Sequence, residues 1–235
     1  MGLAQKVSGI KDGLLDLIFP PYCVGCGREG LLICPACERT LPRIEPPWCS
    51  KCGLPRSGPC LCGTSGGRIW ALDGLRAPFV FEETIREAIH GLKYKNLRSI
   101  AAPLARHLAD LLLDEPLAFD LLVPVPLHSR RLRERGYNQA EIIARHLGRF
   151  VHLPVATDRL RRHRYTAPQA RTADAEGRRA NVSRAFGCRP GSVTGLKVLV
   201  VDDVTTTGAT LEACAIELRK AGAAEVWGLA VAREL

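Results

Sequence analysis

The 235-residue chain has no apolar run near the ~18 residues that a membrane-spanning helix needs. Its N-terminal segment "VSGIKDGLLDLIFPPYC" is apolar in part, but Lys11, Asp12 and Asp16 interrupt it. That pattern reads as a short amphipathic helix rather than a secretory leader, so the chain is expected to be soluble and cytoplasmic. No G-x-x-x-x-G-K-[ST] loop occurs, and the one G-x-G-x-x-G match, at 25–30, lies among the cysteines rather than between a strand and a helix, so neither of the two commonest nucleotide-binding turns is indicated. Lysine is missing from residues 128–190, where fifteen arginines stand against five acids. That net +10 accounts for the whole formal charge of +9. A block of Arg suits phosphate, because the planar guanidinium makes forked hydrogen bonds that an ammonium cannot. A solvated surface would use the same residues.

Cysteine, by contrast, is crowded. Eight of the ten cysteines lie between 23 and 62, as Cys23-x2-Cys26, Cys34-x2-Cys37, Cys49-x2-Cys52 and Cys60-x-Cys62. With no export signal the pairs point to metal rather than disulfides. Two thiolates two residues apart on a tight turn reach one tetrahedral Zn²⁺, and Gly27 and Gly53 stand where the turn needs a glycine. Eight ligands make two structural zinc sites, sequentially 23/26/34/37 and 49/52/60/62, although an interleaved set satisfies the same spacing. Closed four-cysteine sites leave no position for substrate. The region has too few aliphatic runs for a core of its own, so zinc would supply its folding energy. Cys188 and Cys214 stand apart, and Cys214 falls on a helix as a small buried residue.

Residues 1–66 therefore read as a zinc-binding region made of two copies of one small unit, and "GTSGG" (63–67) as a linker. From 67 to 235 apolar strands alternate with helical segments, the pattern of an α/β domain with a mainly parallel sheet flanked by helices. Strands are expected at 75–81, 119–127, 153–157, 197–203 and 225–232. Helices are expected at 82–94, 98–113, 138–150 and 209–223.

The segment "VLVVDDVTTTGAT" (198–210) carries the chemistry. Its four consecutive apolar residues fit a strand covered on both faces. A turn then leads into a helix, and backbone N–H groups at a helix N-terminus favour a phosphate. Thr205, Thr206, Thr207 and Thr210 add hydroxyl donors, while Gly208 and Ala209 leave room for close approach. Asp202 and Asp203 sit at the carboxyl end of the strand, where open α/β sheets bind ligands. Paired carboxylates suit a diol, so diol and phosphate together describe a ribose 5-phosphate. A receiver domain also opens with paired acids after a strand, but only 32 residues follow Asp203, too few for the rest of one.

The same thirteen residues resemble the phosphoribosyl-pyrophosphate (PRPP) signature of type I phosphoribosyltransferases. The resemblance implies that Asp202 and Asp203 bind the ribose hydroxyls and act in catalysis. It also implies that residues 205–210 hold the 5′-phosphate. Together with "PYCVGCG", "CPAC", "CSKCGLP", "CLC", "VPVPLHSRRLRERGYNQA" (123–140) and "TAPQ…RRANVSRAF" (166–186), the chain resembles the ComF family over nearly its whole length. That family joins a double zinc ribbon to a phosphoribosyltransferase-like domain and is linked to DNA uptake in competence. The turn after "VPVP" then corresponds to the pyrophosphate loop, with Arg130 and Arg135 as the phosphate clamp. The polar stretch 165–179 reads as a lid from which Gln169 and Arg178, with Asn181 just beyond, reach the ligand. The implied cofactors are two Zn²⁺ and the Mg²⁺ that accompanies PRPP. The implied activity is phosphoribosyl transfer to an acceptor that the sequence does not identify. The alternative is a non-catalytic PRPP-responsive protein that binds single-stranded DNA or a protein partner such as a DNA-uptake helicase. Tyr22 and Trp48 are the only aromatics in the ribbons placed to stack on bases, which weakens a direct DNA-reading role for them.

Overall fold

The computed structural model describes residues 20–55, 71–115, 117–163 and 185–235. In chain order the elements are α1 (Pro35–Arg39), β1 (Gly74–Arg76), β2 (Phe79–Val80), α2 (Glu83–Tyr94), a 3-10 turn (Arg98–Ile100), α3 (Ala101–Asp114) and β3 (Leu121–Pro124). There follow α4 (Ser129–Arg135), α5 (Gln139–Phe150), β4 (Leu160–Arg162), β5 (Phe186–Cys188), β6 (Lys197–Thr205), α6 (Ala209–Lys220) and β7 (Glu225–Arg233). Strands β6 and β7 form the middle of a parallel sheet. On the far side of β6 lies β3, and β1 and β2 pair in succession along the far side of β7.

Both faces of the sheet are covered, which is why Val198–Val201 can be apolar without alternation. Leu199 and Val201 pack with α2, α3 and α5 in one cluster. Val198 and Val200 pack with α6 and the β4–β5 hairpin in the other. Residue parity along β6 thus decides which face a side chain meets.

The strand expected at 75–81 is two strands, because Pro78 has no N–H to give to β7. The one at 119–127 shrinks to four residues that end on Pro124, with Pro126 two residues beyond, and 153–157 contributes a single bridge, Leu122 to Val155. Strand β6 runs to Thr205, two residues beyond expectation, with Val204 and Thr205 still paired to β7. The stretch after "VPVP", expected as a loop, contains the seven-residue helix α4. His128 caps it by accepting a hydrogen bond from the Arg130 N–H at 3.2 Å, and Gly136 stops it at φ 82°.

The cysteine-rich segment is built from one turn used twice. In the first copy Gly27 N–H donates to Cys23 O at 2.8 Å and Tyr22 bridges Glu29. In the second, Gly53 N–H donates to Cys49 O at 2.9 Å and Trp48 bridges Pro55. Both glycines adopt positive φ, 71° and 70°, which a side chain would strain. The segment packs against the outer side of β1 and β2. Leu75 N–H donates to Lys51 O, Ile44 N–H to Pro78 O and Val80 N–H to Pro42 O, each at 2.8 Å. Ile33 and Leu41 join the first core cluster, and Cys52 and Leu54 the second. Among the described residues no helix is long and apolar enough to cross a membrane.

Candidate functional site

Asp202 and Asp203 lie buried near the carboxyl end of β6. As neighbours in a strand they leave it on opposite faces. Asp203 shares the parity of Leu199 and Val201 and meets α2, where Lys93 Nζ stands 2.8 Å from its Oδ2. Asp202 shares the parity of Val198 and Val200 and faces the α6 side, within electrostatic reach of Cys214 and Arg162. Each acid also accepts a backbone N–H through Oδ1: Asp203 N–H to Asp202 and Val204 N–H to Asp203, both at 2.8 Å. The pair therefore brackets the strand end rather than facing one point from one side.

Burial pushes the Asp202 carboxyl well above the ordinary range, and the neighbouring charge of Asp203 adds to it. Burial pushes the Cys214 thiol far up and the charge of Asp202 adds to it; enclosed in the second core cluster, Cys214 is a packing residue rather than a nucleophile. Burial alone would lower Lys93. The charge and hydrogen bond of Asp203, then the charge of Asp202, outweigh it and raise Lys93 above its ordinary value. On the other face burial lowers Arg162, and Arg131 lowers it further.

An acid whose folded pKa exceeds its unfolded one holds its proton more tightly in the native state. Stability then falls as pH rises through the window between the two values. Asp202→Asn removes the buried charge and keeps an oxygen for the Asp203 N–H. It is expected to raise the melting temperature of the unliganded protein at neutral pH and to flatten its decline above about pH 4. Thermal melts across that range check this; a variant less stable than wild type at neutral pH would refute it.

Beyond Asp203 the chain forms a bend, Thr206–Gly208, and enters α6 at Ala209. Thr205 is buried, Thr206 is exposed, and Thr207, Ala209 and Thr210 are half-buried. Gly208 holds φ 79° immediately before the helix, so the turn presents the first N–H groups of a twelve-residue helix.

Next to Lys93 opens a cleft of about 450 Å³ lined by Lys93, Tyr94, Asn96, Arg131, Arg135 and Tyr137, with Glu134 at its wall. Helix α4 explains which arginines reach it. Residues four apart share a helix face, so Arg131 and Arg135 project together into the cleft. Arg130 is paired with Glu134 at 2.9 Å and is well exposed. Arg135 also hydrogen-bonds Gln139, and its guanidinium lies 5.5 Å from the Tyr94 ring centroid. Tyr137 fixes the geometry: its hydroxyl donates to Leu92 O while Arg98 stacks on its ring at 4.3 Å. Asn138 donates to Val125 O at 3.0 Å and caps α5, which holds the loop after β3 in place. Gln169, Arg178 and Asn181 lie outside the described residues.

Lys93 is the residue that reading by motif passes over. Its signal is positional. Ile85, Ile89 and Lys93 follow at four-residue spacing, so the lysine continues the buried stripe of α2. A cation on an apolar stripe needs a buried acid, and Asp203 provides it.

In the ribbon, the sulfur atoms of Cys23, Cys26, Cys34 and Cys37 all lie within 4.8 Å of one another. Zn–S bonds of about 2.3 Å in a tetrahedron require S···S distances of about 3.8 Å, and Cys26 and Cys34 Sγ are 3.6 Å apart. The four residues fit a zinc ion. Their mutual crowding shows in the thiols themselves. Burial opposes ionisation of Cys23, but N–H donors from Cys34, Cys26 and Gly25 bring it down to about 6, while Cys26 and burial push Cys37 up to about 12. Of the second set, Cys49 and Cys52 share the repeated turn, and Cys60 and Cys62 lie outside the described residues.

A parallel α/β sheet with an acid pair at its central strand end, a threonine-glycine turn beyond it and a thiolate ribbon against its edge defines a zinc-ribbon protein with a phosphoribosyltransferase domain. The sequence profile of the double zinc ribbon domain matches residues 14–65, and that of the phosphoribosyl transferase domain matches residues 132–233. The chain is 34% identical over 209 residues to the DNA utilization protein YhgH of Salmonella typhimurium, covering 84% of this chain and 89% of that one. It is 31% identical over 224 residues to competence protein F of Haemophilus influenzae, covering 88% and 96%. Among solved structures, a Bacillus subtilis glutamine PRPP amidotransferase matches 57% of this chain and 26% of its own, at 22% identity and a TM-score of 0.40. The chain belongs to the competence protein F family.

Proposed function

We propose that the protein binds PRPP at the end of β6 and transfers its phosphoribosyl group to an acceptor in the service of DNA uptake or utilisation. The observation that carries this reading is the buried acid pair bracketing a strand end that opens into the Thr205–Thr210 turn. A ribose laid across that end meets Asp202 from one face and Asp203 from the other, and the N-terminus of α6 receives the 5′-phosphate. The pyrophosphate then extends into the cleft that holds Lys93, Arg131 and Arg135. Asp202, Asp203 and Glu134 are the carboxylates that would hold a Mg²⁺ brought in with PRPP, and the ion would offset the charge of the leaving pyrophosphate. As the anomeric C–O bond breaks, positive charge on the sugar is stabilised by the acids and negative charge on the leaving group by the cations. Residues 1–66 and 67–235 are the two functional units, and Cys49, Cys52, Cys60 and Cys62 hold a second structural zinc. The names of the relatives connect the family with competence and DNA utilisation.

Calorimetric titration of the zinc-loaded protein with PRPP and Mg²⁺ tests the site. Wild type should bind, and Asp203→Asn should weaken binding by about 100-fold, the loss of charge-assisted hydrogen bonds from buried partners. No binding by folded wild type would overturn the reading.

A second reading, nucleic-acid contact, is favoured by a cleft of about 430 Å³ on the β4–β5 hairpin that gathers Arg159, Arg161, His163 and Arg189 against Asp158. Phosphate contacts of this kind weaken steeply with salt. Single-stranded DNA binding that persists unchanged as salt rises would exclude this cleft as its seat.

A further inference from the structure

We propose that Lys93 makes the site select a ribose 5-phosphate that carries a second anion at its anomeric carbon over one that does not. The inference rests on the ribose-phosphate reading of β6 and adds the basis of its selectivity.

Lys93 has two neighbours of opposite meaning. Its ammonium sits 2.8 Å from Asp203 Oδ2, and the same side chain lines the cleft that Arg131 and Arg135 enter. The Oδ1 of Asp203 already accepts the Val204 N–H. A ribose hydroxyl that approaches Asp203 from the Lys93 side competes with the ammonium for Oδ2. Lys93 is four-fifths buried, and leaving its charge unpaired costs several kcal/mol. Another anion must replace Asp203 as its partner. The cleft is where that anion fits, because Lys93, Arg131 and Arg135 outnumber Glu134 there.

The two ligands then differ in a definite way. PRPP gives Asp203 a hydroxyl and gives Lys93 a pyrophosphate oxygen, so the ion pair is exchanged rather than lost. Ribose 5-phosphate gives only the hydroxyl and strands the ammonium. Lys93 thus couples occupation of the diol position to occupation of the cleft, and it is a specificity-determining residue of the site.

The test is a comparison of two dissociation constants, for PRPP and for ribose 5-phosphate, each with Mg²⁺ on the zinc-loaded full chain. Wild type should prefer PRPP by about 100-fold or more, the scale of one stranded buried charge. Lys93→Met should lose PRPP affinity while its ribose 5-phosphate affinity holds or rises, because no ammonium is left to strand, so that the ratio falls by about 30-fold or more. Lys93→Arg, which keeps the charge, should retain most of the discrimination, and it carries the test if the Met variant does not fold. Equal weakening of both ligands in Lys93→Met would reduce Lys93 to a structural role and overturn the proposal. So would a wild-type protein that binds both ligands alike, or a Lys93→Arg protein without discrimination. Wild type that binds neither ligand would instead bring down the ribose-phosphate reading itself, a result distinct from every outcome above.

Discussion

Stripping zinc, or replacing Cys34 with Ala, is expected to unfold the ribbon and lower the unfolding midpoint of the entire chain. The four sulfurs of Cys23, Cys26, Cys34 and Cys37 lie within 4.8 Å of one another, and a bound cation is what lets all four ionise together. A structural zinc contributes roughly 10–16 kcal/mol of apparent folding energy. A whole domain is stable by only about 5–15 kcal/mol. The ribbon has little else to hold it, since α1 is five residues long and none of them is buried. The effect should extend past residue 55, because Ile33 and Leu41 belong to the same cluster as Phe79 and Ile89. Zinc release followed by a chromogenic chelator, alongside far-UV circular dichroism and amide exchange at Leu75 and Val80, checks both parts. A zinc-free protein with unchanged melting temperature would show that the ribbon folds without its metal.

The second large effect is expected at Arg76. Its side chain is 9% exposed, and its Nε lies 2.7 and 2.8 Å from the two carboxylate oxygens of Glu115. Nη1 donates to Ser50 O at 2.8 Å and to Leu75 O at 3.0 Å, and the guanidinium lies 5.1 Å from the Trp227 ring centroid. One residue of β1 thus ties the second ribbon turn, the end of α3 and the face of β7 together. Arg76→Met leaves Glu115 without its counter-ion and the Ser50 carbonyl without a donor, a loss of about 3 kcal/mol. Adding Glu115→Gln should recover part of it, because the uncompensated charge then goes. Urea unfolding of the single and double variants measures both. A loss below about 1 kcal/mol in Arg76→Met would place the pair among surface ion pairs that contribute little.

Local chemistry was legible in the sequence and long-range pairing was not. The cysteine turns could be read because two ligands and a glycine sit within five residues, and their repetition appears in Tyr22–Glu29 and Trp48–Pro55. Strand β6 could be read because four apolar residues in a row have few other uses. The opposite faces of Asp202 and Asp203 follow from strand parity, because both acids fall inside the strand expected at 197–203, and the pairing of Val204 and Thr205 with β7 carries the strand past them. Arg130 and Arg135 look alike in "SRRLRERG" until the stretch is a helix; Arg131 then joins Arg135 in the cleft and Arg130 turns to Glu134. The β4–β5 hairpin joins two three-residue strands separated by 23 residues, and nothing in either strand announces the other. The docking of the ribbon on β1 and β2 is of the same kind, a contact set by shape between segments that each read as independent.

That docking also settles the fate of the sheet's open side. An uncovered edge strand offers a row of unpaired N–H and C=O groups and acts as a template for other chains. Here the edge at β3 is closed from within the α/β region, with Leu122 N–H on Pro154 O and Ala156 N–H on Leu122 O. Among the described residues the opposite edge is closed by backbone from residues 42–51, which lie between the first four cysteines and the Cys49–Cys52 turn that zinc would hold. A chain made under zinc starvation would therefore emerge with β1 and β2 bare and would self-associate through them. Metal supply would then govern solubility and turnover of newly made protein, ahead of any influence on its chemistry.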